Sequence, residues 1–253
     1  MSTRIKVVGF VDIGGREKND DRILLHKSVY DVGIHEAILE MPCSLAVCDG
    51  VGGAPRGDSA AEFVLNKIKE KDIADLNDEK QMSDFLSEIN MKLLLEQDSN
   101  YMVNAMKTTI VGINFFLDRV IYYNSGDSRL YRYRNNILRK LSEDHNITQE
   151  MLDKGIYIEN YEIELMNCNR ITRCLGAVNV LPPYIHKINN NVYIKDIYLL
   201  CSDGLWSVVT DAEIEEILGK ALSLKEKVQK LYYLAKEKKN QDNISIIIAE
   251  IED

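Results

Sequence analysis

The sequence predicts an α+β fold in which two pairs of helices cover a large antiparallel sheet or sandwich. Short β-branched and aromatic segments cluster in the N-terminal, middle and C-terminal parts of the chain, and the helical segments come in pairs between them. Strands that cluster in this way, rather than alternating strictly with helices, are typical of α+β folds. The chain has 253 residues and no cluster of Gly and Pro that indicates a boundary, so we expect one domain over residues 1–253.

The N-terminal part predicts strands followed by two amphipathic helices. The strand segments are RIKVVGFVD, DRILLHKSVY and CSLAVCD. In GDSAAEFVLNKIKEKDI the apolar residues recur at helical spacing, and EKQMSDFLSEINMKLLLEQ is predicted as a second amphipathic helix.

The second part of the chain predicts further strands, a helix pair and a final strand. The segments KTTIVGINFFL, RVIYYNSGD, SRLYRYRNN and ILRKL are separated by turns and predict an antiparallel meander. Residues 142–175 are polar and irregular, with one short helix expected, and NNNVYIKDIYLLCSD is predicted as a strand. Thr210 and Glu213 form a capping-box pattern that begins a helix. A last helix is expected over residues 224–238, and NISIIIAEI is the final strand.

Charge and cysteine content restrict the classes of partner. The formal net charge of −9 argues against nucleic acid and membrane surfaces as partners. Phosphorylated substrates stay possible where metal ions or arginines reverse the local field. The five cysteines form no Cys-x-x-Cys pair, which indicates reduced thiols and a cytoplasmic protein. The start MSTRIKVVGF is too polar for a signal peptide, and no apolar run is long enough to span a membrane.

Aspartates lie at the ends of several predicted strands. Asp49 in LAVCDGVGG and Asp203 in YLLCSDGLW end apolar runs, whereas Asp242 and the stretch Asn19–Arg22 precede strands. One Asp-Gly pair alone is best explained as a turn. Several carboxylates at neighbouring strand ends, however, repel each other unless a cation neutralises them. Ligands that are all oxygen suit Mg²⁺ or Mn²⁺, and Gly50 lets a backbone carbonyl approach the same ion.

Seven segments, in order from about Gly9 to Ile248, carry a resemblance to a known family. They are VDIGGREKNDDR, LAVCDGVGG, MKTTIVG, YNSGDSRLYRYRNNILRKLSEDHN, RITRCLG, LLCSDGLWSVVTDAEI and QDNISIII. Together they resemble the metal-dependent protein serine/threonine phosphatases (PPM, or type 2C), most closely the compact bacterial branch. The resemblance implies a four-layer α-β-β-α sandwich with a dinuclear Mn²⁺ or Mg²⁺ site at one end of the central sheets.

The resemblance also implies the site residues. The implied metal ligands and their neighbours are Asp20, Asp21, Asp49, the carbonyl of Gly50, Asp127, Asp203 and Asp242. Asp49 matches the acid that bridges both core ions, and Arg16 matches the arginine that binds the substrate phosphate. Asp127 and Asp203 match the ligands of a third, weakly held ion.

The implied reaction is hydrolysis of phosphoserine and phosphothreonine in proteins by a hydroxide that bridges the two metal ions. The expected substrates are those of a serine/threonine kinase in bacterial signalling, and the enzyme is expected to be a monomer. The sequence itself argues against two other mechanisms of phosphate hydrolysis, one through a cysteine nucleophile and one through a phosphorylated aspartate. No cysteine is followed by arginine six positions later, and no Asp-x-Asp pattern offers an aspartyl-phosphate intermediate.

Two positions depart from the family, and two other functions remain open. Asp20 stands where the family commonly has glutamate, which puts the affinity of the second ion in question. Val51 stands where many eukaryotic relatives have a histidine, so no general acid is assigned; His145 is interpreted as structural or exposed. The alternatives are a catalytically weak member of the fold that acts as a binding or regulatory module, and a metal-dependent hydrolase of a small phosphoester.

Overall fold

The computed structural model describes residues 4–51, 54–98, 105–156, 170–178, 183–189 and 192–252. In these ranges the strands are β1 (Arg4–Asp12), β2 (Arg22–Leu25), β3 (Ser28–Tyr30), β4 (Gly33–Glu40), β5 (Cys43–Cys48), β6 (Ile110–Phe115), β7 (Arg119–Ser125), β8 (Arg129–Arg134), β9 (Ile137–Lys140), β10 (Tyr184–Asn189), β11 (Ile197–Cys201) and β12 (Ile244–Glu252). The α-helices are α1 (Gly57–Glu70), α2 (Glu79–Asp98), α3 (Ile147–Asp153), α4 (Asp203–Trp206), α5 (Asp211–Gly219) and α6 (Leu224–Glu237). A short 3₁₀-helix covers Ile73–Leu76.

The strands form two antiparallel sheets that pack face to face. The first sheet has the order β4-β1-β12-β11-β8-β9, and the second has the order β10-β7-β6-β5-β2-β3. Helices α1 and α2 pack on the outer face of the second sheet, and α4, α5 and α6 pack on the outer face of the first. The predicted α+β fold, a four-layer α-β-β-α sandwich, is therefore confirmed.

Three apolar layers hold the sandwich together, and the central layer lies between the two sheets. Phe115 of β6 and Tyr198 of β11 meet there edge to face, with ring centroids 5.1 Å apart. Leu45 and Ile247 are fully buried in the same layer. Because aliphatic and aromatic side chains from both sheets interlock, this layer fixes the strand ends relative to each other.

Helix predictions agree with the structure to within a few residues. The capping box at Thr210 is formed in both directions with Glu213 and begins α5. A second box, between Ser223 and Glu226, begins α6. None of the helices in the described part of the chain combines the length and the apolar character needed to cross a membrane.

The predicted antiparallel meander is wrong, because its strands are divided between the two sheets. β6 and β7 pair in the second sheet, whereas β8 and β9 pair in the first. The chain changes sheets at Gly126, whose φ of +116° favours glycine. A Cβ at Gly126 would meet the Thr109 side chain at 2.6 Å. This crossing places Asp127 between the ends of the two sheets.

Three further strand predictions needed correction. The segment DRILLHKSVY is a hairpin of β2 and β3, which turns at His26 with a φ of 55°. β4 was not predicted, because it is an edge strand with no fully buried residue and no apolar run. In NNNVYIKDIYLLCSD the first residue, Asn189, ends β10, and residues 190 and 191 lie outside the described residues. Ile197–Cys201 forms β11, preceded by Lys195 at a φ of 69°.

We expect Phe115→Ala to lower the free energy of unfolding by about 3–5 kcal/mol, because it removes a buried ring from the layer between the sheets. The matched control is Leu117→Ala, two residues further on, where the side chain is 67% exposed. This control is expected to change stability by less than about 0.5 kcal/mol. Urea denaturation of both variants measures the difference, and equal losses would contradict the assigned role of the layer.

Candidate metal and phosphate-binding site

The predicted site residues converge at one end of the sandwich because each lies at the end of a strand. Asp49 follows β5, Asp203 follows β11 and Asp242 shortly precedes β12. Asp127 lies where the chain passes from β7 to β8, and residues 20–21 directly precede β2. Since β11 and β12 are neighbours in one sheet and β5 and β2 are neighbours in the other, the packing of the sheets brings these carboxylates together.

Two adjoining cavities, of about 570 and about 450 Å³, open at this end of the sandwich. Arg16, Asp203 and Asp242 line both cavities, so the two form one recess. Asp21 lines neither cavity. The predicted residues that line the recess are Arg16, Asp20, Asp49, Gly50, Asp127, Asp203 and Asp242.

The glycines that follow the two candidate aspartates are required by close backbone packing. A Cβ at Gly50 would lie 2.5 Å from the carbonyl carbon of Gly57, where α1 begins, and 2.8 Å from the Cβ of Asp20. A Cβ at Gly204 would lie 1.9 Å from the carbonyl oxygen of Asn243. The second Asp-Gly pair begins α4. The structure therefore explains both glycines without a hairpin turn.

The backbone of Asp49 is fixed by two threonines of the neighbouring strand segment. Its carbonyl oxygen accepts hydrogen bonds from the Thr109 N–H at 2.8 Å and from the Thr108 hydroxyl at 2.9 Å. Its own N–H donates to the Thr109 hydroxyl oxygen at 3.2 Å. These bonds occupy the main chain and leave the carboxylate to face the recess.

Burial and mutual repulsion raise the pKa of the carboxyl groups in the recess. Burial first, and then the neighbouring Asp242, raise the pKa of Asp203 to about 6. Burial followed by the charge of Asp203 raises the pKa of Asp127 to about 8. The pKa of Asp49 is raised well above its usual value by burial and by Asp21, Asp203 and Asp127. These groups are therefore unfavourable as anions unless a positive charge lies among them.

Unpaired carboxylate oxygens point to the same requirement. In the described part of the chain, Oδ1 of Asp21, Asp127 and Asp203 is buried without a hydrogen-bond partner. Among all the described residues, no group of three or more His, Cys, Asp or Glu side chains is arranged so that it could hold a metal ion as it stands. The fit to a cation therefore rests on the donor chemistry, because buried, repelling carboxylate oxygens are the ligands that Mg²⁺ and Mn²⁺ prefer.

The predicted ligand Asp21 lies behind the recess rather than in it. Its side chain is 1% exposed, and its Oδ2 accepts a hydrogen bond from the Ser202 hydroxyl at 2.8 Å. Burial raises the pKa of Asp21 to about 7, against the effect of the hydrogen bond from Ser202. In this position Asp21 adds negative charge close to Asp49 and Asp203.

Asp20 reaches the recess but already has partners. Its Oδ1 accepts a hydrogen bond from the Asp58 N–H in the first turn of α1 at 3.2 Å and lies 3.3 Å from the Lys18 ammonium. The same ammonium pairs with the Asp58 carboxylate at 2.8 Å. Lys18 therefore bridges Asp20 and helix α1, a contact that the sequence did not predict.

Arg16 lies at the mouth of the recess and spans the carboxylate of Asp242. Its Nε donates to Oδ1 at 3.0 Å and its Nη2 donates to Oδ2 at 2.7 Å. The Arg16 side chain is 52% exposed. A guanidinium that is bidentate to a carboxylate presents the same pair of N–H groups that fits two oxygens of a phosphate.

Two residues that sequence analysis did not place in the site hold its loops. The Oδ1 of Asn243 accepts a hydrogen bond from the Asp20 N–H at 2.9 Å, and its amide donates to the carbonyl oxygens of Ile13 and Lys18. His145 is buried, and its Nδ1 accepts from the Gly126 N–H at 3.2 Å. Burial lowers the pKa of His145 to about 4, so it is a neutral structural group. Asn243 follows Asp242 directly, and that adjacency was the signal available in the sequence.

Comparison with known proteins identifies relatives along nearly the whole chain. Residues 42–244 match the family model described as protein phosphatase 2C. The chain is 31% identical to the serine/threonine phosphatase Stp of Listeria welshimeri over 81% of this chain and 82% of that protein. It is 29% identical to Stp of Listeria innocua over 92% of this chain and 94% of that protein.

Solved structures show the same architecture. The crystal structure of the serine/threonine phosphatase Stp1 from Staphylococcus aureus superposes with a TM-score of 0.82 at 28% identity, over 98% of this chain and 95% of that chain. The catalytic domain of the serine/threonine protein phosphatase PstP, in complex with two manganese ions, superposes with a TM-score of 0.79 at 25% identity over the full length of both chains.

We expect the chelator-treated protein to be more stable near pH 5 than near pH 8. The folded-state pKa of Asp203 (about 6) and Asp21 (about 7) lies above the unfolded value of about 4. The folded protein therefore retains protons that the unfolded chain releases, and stability falls as the pH rises between about 4 and about 8. Added Mn²⁺ should raise the melting temperature more at pH 8 than at pH 5.

Calorimetry or thermal denaturation with and without Mn²⁺ tests this expectation. The matched variant is Asp21→Asn, which should flatten the pH dependence of the chelator-treated protein. A melting temperature that is flat from pH 5 to 8 and insensitive to Mn²⁺ would contradict the electrostatic account of the site.

Proposed function

Since the chain belongs to the protein phosphatase 2C family, we propose that it is a phosphatase that requires Mn²⁺ or Mg²⁺ and releases phosphate from phosphoserine and phosphothreonine in proteins. The observation that carries the proposal is the recess in which buried, mutually repelling carboxylates lie beside Arg16. Such a recess suits a substrate that is itself an anion only when cations are present to offset the combined charge.

We assign Asp49, Asp203 and Asp242 to one divalent ion, and Asp49, the carbonyl of Gly50 and Asp20 to a second. Asp127 and Asp203 are assigned to a third, weakly held ion. Ions held by these residues would supply a neutralising charge and would lower the pKa of a coordinated water, which is the chemistry that phosphoester hydrolysis requires. The relative PstP, whose catalytic domain is described with two manganese ions, supports the assignment of a core pair.

In this proposal Asp21 acts from behind the ligands. Its buried charge raises the pKa of Asp49, and a divalent ion at Asp49 would offset both charges. The Ser202 hydroxyl fixes the orientation of the Asp21 carboxylate. The role of Asp21 is therefore to add electrostatic attraction for the ions without lining the recess.

Arg16 is proposed to bind and orient the substrate phosphate. The guanidinium lines both cavities of the recess, and its ion pair is with Asp242, which is itself a proposed ligand. If Asp242 also bound a cation, its ion pair with Arg16 would weaken, and the guanidinium would become available to a phosphoryl group. Its fixed planar donors would hold two phosphoryl oxygens and stabilise the charge that develops in the transition state.

The cysteines of the described part of the chain do not suit a nucleophilic role. Cys43, Cys48, Cys174 and Cys201 are all buried. Burial raises the pKa of each of these thiols, so they are not thiolates near neutral pH. The remaining cysteine, Cys168, lies outside the described residues.

We further propose that the substrates are products of a serine/threonine kinase, and that the enzyme acts as a cytoplasmic monomer in bacterial signalling. Its relatives named serine/threonine phosphatases support the substrate class. The two alternatives from the sequence, a silent binding module and a small-phosphoester hydrolase, differ from this proposal in their response to phosphopeptides.

The direct test of the function is release of phosphate from a phosphothreonine peptide with Mn²⁺ and with excess chelator, compared with a phosphotyrosine peptide and with sugar phosphates. We expect hydrolysis of the phosphothreonine peptide that depends on Mn²⁺. Asp49→Asn, Asp203→Asn and Asp242→Asn should each remove nearly all activity, since each weakens a divalent site. Full activity in excess chelator would refute the metal-dependent mechanism, and a preference for sugar phosphates would favour the small-phosphoester alternative.

We expect Arg16→Ala to lower kcat/KM towards a phosphopeptide by on the order of 10²–10³, as for other preorganised groups that stabilise transition-state charge. Arg139→Ala is the matched control, because Arg139 is an exposed arginine on β9. Steady-state kinetics of the two variants at saturating Mn²⁺ make the comparison. A loss below twofold in Arg16→Ala would mean that Arg16 serves only its ion pair with Asp242.

A further inference from the structure

We propose that Lys107 is a specificity-determining residue that binds an anionic group flanking the phosphorylated residue of the substrate. The group is an acidic side chain or a second phosphate on the same polypeptide. The inference rests on the proposed function, because it concerns which phosphoproteins the same recess accepts.

The first observation is the position of Lys107 on the wall of the recess. It lines the larger cavity together with Arg16, Asp127 and Asp203. It does not line the smaller cavity, which contains Asp49 and the other groups assigned to the core ions. Lys107 therefore lies beside the cavity that holds the proposed core-ion ligands rather than in it, where residues flanking the phosphorylated side chain would pass.

The second observation is that Lys107 marks the boundary with another depression. A groove of about 420 Å³ beside α2 is lined by Met91, Leu95 and Val178, and it shares Ala105 and Lys107 with the larger cavity. A polypeptide that leaves the recess on this side would pass Lys107 within a few residues of its phosphorylated side chain, since an extended chain advances about 3.3 Å per residue.

The third observation is that the backbone fixes Lys107 relative to the candidate metal ligands. Its carbonyl oxygen accepts from the Val51 N–H at 3.0 Å. The next residue, Thr108, pairs with Leu175 through N–H···O bonds of 3.1 and 2.9 Å and donates its hydroxyl to the carbonyl oxygen of Asp49. The backbone of Lys107 is thus hydrogen-bonded into the same segments that hold Asp49 in place.

The fourth observation is that the ammonium of Lys107 has no acidic partner within the described ranges. Two other cations that line the recess are already engaged, Arg16 with Asp242 and Lys18 with Asp58 and Asp20. An unpaired, partly buried cation is unusual at the edge of an acidic recess in a chain with a net charge of −9. The positive charge of Lys107 also acts on Cys174, which lines the same cavity. Burial raises the pKa of the Cys174 thiol, and Lys107 opposes that rise.

These observations favour a flanking anion over the reacting phosphate as the partner of Lys107. Arg16 lines both cavities of the recess and is assigned to the reacting group. Lys107 and the exposed Arg170 line the larger cavity and are absent from the smaller one. These two cations add positive charge to a cavity that also contains Asp127, Asp203 and Asp242. Opposite charges across such a contact select among substrates and steer their approach.

The experiment measures kcat/KM for phosphothreonine peptides that carry Glu or Gln at single positions from −3 to +3 around the phosphorylated residue. A further arm places phosphoserine at the same positions, which distinguishes a second phosphate from an acidic side chain. The wild type should prefer the anionic peptide at one or more positions by about 3–10-fold, mostly through KM, as expected for one partly solvated charge pair.

In Lys107→Gln the ratio of the Glu peptide to the Gln peptide should fall to about one, and Lys107→Arg should retain the preference. The control Lys230→Gln removes an exposed lysine on α6, on the other side of the sandwich, and should leave the ratio as in the wild type. Equal turnover of all phosphopeptides by the wild type, or an undiminished ratio in Lys107→Gln, would overturn the inference alone. No hydrolysis of any phosphopeptide in Mn²⁺ would instead overturn the proposed function and this inference together.

Discussion

The electrostatic repulsion among buried carboxylates is the constraint on which the rest of the structure depends. Burial raises the pKa of Asp49, Asp127 and Asp203, and neighbouring carboxylates add to it: Asp21, Asp203 and Asp127 at Asp49, Asp203 at Asp127, and Asp242 at Asp203. A recess of this kind is unstable as an isolated element, because each carboxylate is desolvated next to others of the same charge. The three apolar layers of the sandwich must therefore hold the strand ends in place. The same repulsion that costs stability becomes affinity when a divalent cation binds.

Backbone packing converts that constraint into a defined geometry. Gly50 lies against the beginning of α1, and Gly204 lies against the carbonyl of Asn243, so neither segment can shift without a clash. Asn243 joins the loop of Asp20 to the strand that follows Asp242. Since both sheets contribute proposed ligands, a change in the distance between the sheets would alter the whole set of carboxylate positions at once. This explains why a rigid sandwich, rather than a mobile loop, carries the candidate site.

Much of the fold and the acids at strand ends followed from local patterns in the sequence, whereas the four-layer arrangement, Arg16 and Asp127 were expected only from the family resemblance. Alternation, helical periodicity and the capping box at Thr210 are properties of short segments, and the acids that end strands are visible in the motifs. The division of the middle strands between two sheets was not predictable. A turn at Gly126 has the same sequence pattern whether it joins two paired strands in a hairpin or carries the chain from one sheet to the other. The contacts of Lys18 with Asp58 and of Arg16 with Asp242 join residues that are 40 and 226 positions apart along the chain. Such pairs depend on tertiary packing, and no local pattern in this sequence reports them.

The central claim is that the carboxylates form a site for divalent cations, and anomalous X-ray diffraction from crystals grown with Mn²⁺ tests it most directly. The account predicts two strong anomalous peaks in the recess. One should lie among Asp49, Asp203 and Asp242, and the other between Asp49, the carbonyl of Gly50 and Asp20. A weaker peak between Asp127 and Asp203 is expected at high Mn²⁺. A recess without anomalous density at saturating Mn²⁺, or peaks confined to carboxylates elsewhere on the surface, would contradict the account.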